Sequence, residues 1–378
     1  MTTPTKPILP MVDLKSQYKK IETEVDLAIK NCLNSTAFIG GANVASFQKN
    51  LEKYLGVKHV IPCANGTDAL QIALMALDLK AGDEVIVPAF TYVASAEVIA
   101  LLQLKPVMVD VDPKTFNITP DIFEKAITPR TKALIPVHLF GQSCDMASIL
   151  EIARRHNIYV IEDNAQAIGA DYTFKNGQTA KTGTMGHIGC TSFFPSKNLG
   201  CYGDGGAIMT NHDDLAAKIR KIANHGQGER YYHDIVGVNS RLDAIQAAIL
   251  DIKLKHLDNY SAARQKAAAF YDEAFKSITA LETPVRQSNS THVFHQYTLK
   301  VKNGQRNALV RHLTEGGISA MIYYPVPLYK QGAFKDYWQG EVLPVTEQLS
   351  EEVFSLPMHT ELNDEILAEI TEGVISFF

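Results

Sequence analysis

The chain has 378 residues, 46% hydrophobic and 20% charged, with a formal net charge of −5 at pH 7. That length exceeds what one small core serves, so a large globular unit with a smaller companion is expected, and the ordinary composition excludes a disordered or fibrous chain. No basic block or arginine–aromatic cluster supports nucleic acid as a partner, and no apolar run approaches the ~20 residues needed to span a bilayer.

Residues 1–20 are polar and proline-bearing, without the apolar stretch of a secretory leader. The cysteines, Cys32, Cys63, Cys144, Cys190 and Cys201, are scattered and never spaced C-x-x-C. This argues against a disulfide framework or zinc site and for a reducing, cytoplasmic setting. Residues 13–33 and 42–55 read as helices, the second with Val44, Phe47, Leu51 and Tyr54 at helical spacing and a stop at Gly56. The loop between them holds Phe38-Ile39-Gly40-Gly41.

Strand-like and helix-like segments then alternate. Strands are expected at 57–62, 84–88, 106–111, 133–137 and 158–162, and helices at 67–79, 94–104, 120–127 and 146–157. The strands are β-branched and continuously apolar, as when helices cover both faces of a sheet. The fold class is therefore α/β, a sandwich around a mainly parallel sheet. A further strand at 207–211 precedes helices at 213–224, 240–256 and 262–275. Residues 278–378 change character, with a strand at 294–301, a helix at 305–315, a strand at 318–323, a proline-rich loop and a last helix from 364. The expected division is a large domain over 1–257 and a small α+β domain over 258–378.

Several residues fall where ligands collect, at the carboxyl ends of the strands. Lys197 sits between the apolar run Thr191-Ser192-Phe193-Phe194 and a glycine-rich loop, with no charged residue within five positions. In apolar surroundings a lysine loses proton affinity, and the free amine is a nucleophile able to form Schiff bases with carbonyls. A lysine whose stem packs on Phe193 or Phe194 fits the same stretch equally well. Asn65-Gly66-Thr67-Asp68 follows a strand and opens a helix, as an anion cradle or an ordinary capped start. Asp163 closes an apolar strand and Gln166 follows it; a carboxylate there can hold a pyridinium nitrogen protonated, or can simply cap. Tyr92 can stack on a flat ring or belong to the core. Asn239 and Arg241 precede a helix. No histidine pair has metal-ligand spacing, and no G-x-G-x-x-G, P-loop or G-x-S-x-G motif is present.

Taken in order, Asn-Gly-Thr-Asp-Ala-Leu (65–70), Pro88-Ala-Phe-Thr-Tyr-Val-Ala-Ser95, Glu162-Asp-Asn-Ala-Gln166, Ser192-Phe-Phe-Pro-Ser-Lys197 and Asn239-Ser-Arg241 resemble the DegT-type nucleotide-sugar aminotransferases. The resemblance covers essentially the whole chain. It implies a fold-type I enzyme dependent on pyridoxal 5′-phosphate (PLP), with Lys197 as the Schiff-base lysine and Asp163 facing the pyridine nitrogen. It further implies Gln166 at the ring hydroxyl, Tyr92 stacked on the ring, and Thr67, Asp68 and Ser192 around the phosphate. Asn239 is implied to reach the phosphate held by a neighbouring subunit, hence a homodimer with shared sites.

The resemblance also implies the reaction: an amino group passes from L-glutamate, by way of PLP, to a keto-sugar nucleotide, leaving 2-oxoglutarate. The likeness around Lys197 and Gln296 is to bacterial enzymes that aminate C3 of UDP-linked 2-acetamido-3-keto-hexuronic acids for surface polysaccharides such as O-antigen. Those relatives carry His-Tyr-Pro where this chain has Tyr323-Tyr324-Pro325. C4 amination of a UDP- or dTDP-4-keto-6-deoxyhexose, a dehydratase or epimerase, and a sugar-binding regulator on the same fold remain alternatives. Lys197, in place of the histidine of the dehydratases, favours transamination. Phe38, Arg230, Arg241, Tyr323 and Tyr324 lie in loops near these motifs and are the candidate sugar-nucleotide contacts, arginine being a natural partner for a carboxylate or diphosphate.

Overall fold

A computed structural model of the chain describes residues 8–338 and 340–378; of the N-terminal stretch discussed above, residues 1–7 lie outside the described residues. The central sheet has the order β1-β9-β8-β5-β4-β2-β3. Its strands are β1 His59–Cys63, β2 Glu84–Pro88, β3 Lys105–Val109, β4 Thr131–Leu134, β5 Tyr159–Asp163, β8 Ile188–Ser192 and β9 Gly206–Thr210. All neighbours are parallel except β9, which runs antiparallel to both β1 and β8. The antiparallel β9 leaves β1 pointing the same way as β2, β3, β4, β5 and β8, so six carboxyl ends share one edge.

The strands are apolar on both faces because both are covered. Val85 and Val87 pack with α3 (Gly66–Ala76), α4 (Ala94–Leu101) and α7 (Asp213–Ala223), whereas Ile86 between them packs with α5 (Pro120–Lys125) and α6 (Met146–His156). This is the period-2 alternation of a strand with two buried faces. Helices α2 (Gly41–Leu55) and α8 (Ala244–Leu254) close the β1–β9–β8 end through Phe47, Leu51, Phe193 and Leu250. Helix α1 (Leu14–Ser35), capped by Asp13 accepting from Ser16 N–H, lays Ile21 and Val25 on Ile249 and Ile252 of α8.

The C-terminal part is a three-stranded antiparallel sheet of β12 (Leu281–Glu282), β13 (Tyr297–Val301) and β14 (Val353–Leu356). It packs with α9 (Leu257–Phe275), α10 (Arg306–Glu315) and α12 (Asp364–Ile375) around Tyr271, Tyr297, Leu313 and Ile370. Two small hairpins, β6–β7 (Asp171–Thr173, Thr179–Lys181) and β10–β11 (Gln227–Glu229, Tyr232–His233), stand outside the sheets.

Three expectations change. Residues 318–323 form only isolated bridges, Leu9 with Ile318 and Met321 with Ser355, because β14 takes the place beside β13. The proline-rich segment contains a helix, α11 (Pro344–Glu352), which Pro344 opens at a position where its missing N–H costs nothing. Helix α8 starts four residues later than expected, since Asn239 and Asp243 are held in bridges to Asn224 and Ile39.

Candidate active site

The shared edge of the sheet gathers Asp163, Lys197 and the start of α3. Asp163 is the last residue of β5, paired with Cys190 of β8, and is 6% exposed. Its Oδ2 accepts from Ser95 Oγ at 2.7 Å and its Oδ1 from the Ala165 N–H at 3.1 Å. The strand end is braced from behind. Glu162 accepts from the N–H groups of Gly183, Met185 and Gly186 at 2.8, 2.7 and 2.6 Å. The fully buried His138 ring meets Glu162 Oε2 at 2.8 Å through Nε2, while its Nδ1 accepts from Cys144 N–H. With Nδ1 an acceptor, Nε2 carries the hydrogen and is the donor.

Lys197 lies in the turn after β8, its N–H bonded to Phe194 O at 2.8 Å, and its side chain is half-buried. Burial lowers the proton affinity of its amine to a pKa of about 8, and the negative charge of Asp163 works in the opposite sense. The turn is anchored on its far side: Asn198 Nδ2 donates to Val293 O, and the buried Lys253 amine of α8 donates to Gly200 O at 2.5 Å. His295, beside that anchor, is pushed well below the usual histidine range by burial and then by the charges of Lys197 and Arg264, so it stays neutral.

The start of α3 forms the second wall. Asn65 caps it, accepting from Asp68 N–H at 2.8 Å, with Thr67 and Asp68 in the first turn. Gly66 is pressed against Ser192: a Cβ on it would lie 2.7 Å from the Ser192 Cβ. Gly206 lies behind, where a Cβ would meet Asn65 O at 2.4 Å. Glycine is required at both places by close approach, and Ser192 is thereby brought beside exposed N–H groups at a helix start, which suits an anion.

The third wall is aromatic. The Tyr92 ring, 57% exposed, is tilted on Tyr324 with centroids 6.4 Å apart, and Tyr324 also meets Phe90 and Tyr323 at 6.0 Å. Gln166 is fixed at both ends of its amide, donating to Tyr324 Oη at 3.1 Å and accepting from Phe140 N–H at 2.7 Å. Asn239 and Arg241 are exposed on the extended segment before α8, and Ser240 between them accepts from Ala64 N–H beside the α3 cap. The exposed Phe38 is tied to that segment by its carbonyl, which accepts from Ala244 N–H. Arg230 stands apart at the β10–β11 hairpin, its guanidinium over the neighbouring Tyr231 ring at 5.1 Å.

Sequence alone points to no role for Ser95, His138, Asn198 or Lys253. Ser95 ends the 88–95 motif, and a serine among Ala94, Ala96, Val98 and Ile99 is the available signal. The others pair through contacts remote in sequence. As a test of fit, the half-buried amine, the carboxylate with both oxygens held, and the glycine-lined helix start are the donor set that PLP requires. Among the described residues there is no cluster that could hold a metal ion, and no helix is long and apolar enough to cross a membrane.

Residues 19–375 match the model of the DegT/DnrJ/EryC1/StrS aminotransferase family. The chain is 48% identical to a Pseudomonas aeruginosa UDP-2-acetamido-2-deoxy-3-oxo-D-glucuronate aminotransferase, over 94% of this chain and 96% of the relative. It is 45% identical to a Geobacillus stearothermophilus protein called a pleiotropic regulatory protein, over 98% of each. Its fold superposes with a TM-score of 0.88 on Bacillus subtilis NtdA solved with bound cofactor PMP, at 31% identity, covering 100% of this chain and 86% of that one. The chain belongs to the DegT/DnrJ/EryC1/StrS family of sugar aminotransferases and has the fold-type I α/β architecture.

Proposed function

We propose that this aminotransferase uses PLP bound at Lys197 to move the amino group of L-glutamate onto C3 of UDP-2-acetamido-2-deoxy-3-keto-glucuronic acid. The single observation that carries the reading is the half-buried Lys197 amine, lowered to about 8, within reach of the Asp163 charge at the end of β5. The choice of sugar is supported by the name of the P. aeruginosa relative, and the choice of cofactor by the PMP bound in NtdA.

In this reading PLP supplies, when bound, an electron sink that makes the donor's Cα proton acidic. Lys197 would hold the cofactor by its aldehyde carbon, and its amine is the group placed to move the donor's Cα proton, as base and then as acid. An amine near 8 has a usable free fraction at neutral pH, where an ordinary lysine has almost none. Asp163 would face the ring nitrogen and favour its charged form. Gln166 would meet the ring hydroxyl, Tyr92 would stack on the ring, and Thr67, Asp68 and Ser192 would hold the phosphate at the start of α3. Asn239, exposed, reaches the phosphate of a second subunit, so the working unit is a homodimer. Phe38, Arg230, Arg241, Tyr323 and Tyr324 contact the sugar nucleotide. The cofactor-binding domain spans 1–257 and the smaller domain 258–378. The reaction belongs in the cytoplasm, in building aminosugars for a surface polysaccharide such as O-antigen.

The test is incubation with glutamate and a panel of 3-keto and 4-keto UDP- and dTDP-sugars, with products identified by mass and NMR. The expected result is one 3-amino uronate and one 2-oxoglutarate per turnover, abolished by Lys197→Ala. Turnover confined to 4-keto sugars would replace the substrate assignment with C4 amination. A second reading, a sugar-binding regulator, draws on the name of the G. stearothermophilus relative; binding of a nucleotide sugar without any turnover would favour it.

A further inference from the structure

Both oxygens of the Asp163 carboxylate are already engaged by the chain itself, and one donor comes from a residue far away in sequence and buried at 1% exposure, Ser95. A serine hydroxyl has one hydrogen, and an ionised carboxylate only accepts, so the 2.7 Å contact sends that hydrogen to Asp163 Oδ2. Thr91 Oγ1 lies 3.4 Å from Ser95 Oγ, and with the serine hydrogen spent, the threonine is the donor in that contact. The direction of this short chain is therefore settled: Thr91 to Ser95 to Asp163.

The neighbours of Ser95 on α4 explain why it is placed there. Ala96, Val98 and Ile99 lie in the apolar cluster under the sheet, while Ser95 turns to the strand end. Hydrogen bonding to the charged form of a carboxylate favours that form, and burial disfavours it. With a donor on each oxygen, the plane of the Asp163 carboxylate is fixed.

We propose that Ser95 is a positioning residue which orients Asp163 toward the cofactor ring. This rests on the assignment of Asp163 to the ring nitrogen made above. The experiment titrates cofactor-free enzyme with PLP in four proteins: Ser95→Ala, Ser95→Thr, Asp163→Asn and the double variant Ser95→Ala/Asp163→Asn, with thermal unfolding followed in parallel. Ser95→Ala is expected to weaken PLP binding about tenfold, the size of one hydrogen bond to an ionised group.

Ser95→Thr, which keeps the hydroxyl, is expected to bind within about threefold of the parent, and Ser95→Ala should add nothing once Asp163 is Asn. Equal losses in Ala and Thr variants, an undiminished loss in the Asp163→Asn background, or unchanged PLP binding in Ser95→Ala would each overturn the proposal. Should Asp163→Asn itself leave PLP binding intact, the cofactor assignment falls and this proposal with it. Asp163→Asn weakening binding while Ser95→Ala does not would remove Ser95 alone.

Discussion

Gln166 donates its amide hydrogen to the hydroxyl of Tyr324 at 3.1 Å, joining the loop after β5 to the segment beyond α10. The amide oxygen is occupied by Phe140 N–H, so the orientation of the side chain is determined and the Tyr324 hydroxyl acts as an acceptor. Its own hydrogen is then directed elsewhere. Replacing Tyr324 by Phe leaves a largely buried N–H without a partner, a cost of about 1–3 kcal/mol. Denaturant unfolding should show a loss in that range. Steady-state kinetics should show a raised KM for the keto-sugar with kcat within about threefold, if the hydroxyl serves the sugar rather than the chemistry.

Burial penalises the ammonium and lowers the Lys197 amine to about 8, with Asp163 opposing. The sign follows directly: the free amine appears at lower pH than for an exposed lysine. In cofactor-free protein, reaction of this residue with an amine-selective reagent should show a midpoint near pH 8, read by peptide mapping. Asp163→Asn removes the opposing charge and should lower that midpoint further. A midpoint near 10.5 would contradict the buried environment.

Gly66→Ala tests the cradle. The new Cβ would sit 2.7 Å from the Ser192 Cβ, closer than carbon atoms pack, so α3 and the end of β8 must separate. PLP affinity should fall at least tenfold while the fold persists, measured by absorbance titration and circular dichroism. Gly40→Ala, with open space around it but a φ of +66°, should cost about 1 kcal/mol of stability and leave PLP affinity unchanged.

Lys253 separates charge from volume. Its amine, 1% exposed and lowered to about 8 by burial, donates to Gly200 O behind the Lys197 turn. Lys253→Ala should cost about 2–4 kcal/mol, since it leaves both a cavity and an unpaired carbonyl. Lys253→Met fills the space and removes a buried charge, and should stay within about 1 kcal/mol of the parent. Equal losses would show that the hydrogen bond, rather than packing, sustains the turn.

Local patterning carried most of the fold. The apolar runs at 84–88 and 158–162 had to be two-sided strands, and β2 is buried at every position. Where a segment owed its state to a partner remote in the chain, patterning failed: 318–323 reads as a strand alone, yet β14 holds the place beside β13. The α11 helix was hidden by the prolines around it, although Pro344 is what starts it.

The chemistry divides in the same way. Sequence alone determined which side chains bear it, because a lysine without charged neighbours, a strand-ending aspartate and a glycine-led helix start are each local signals. Only the tertiary structure decided what each of them meets: Ser95 on Asp163, Tyr324 on Gln166, Lys253 behind Lys197. A hydrogen bond depends on position to within a few tenths of an ångström, and that position is set by how the sheet and its helices pack, which no stretch of neighbouring residues encodes.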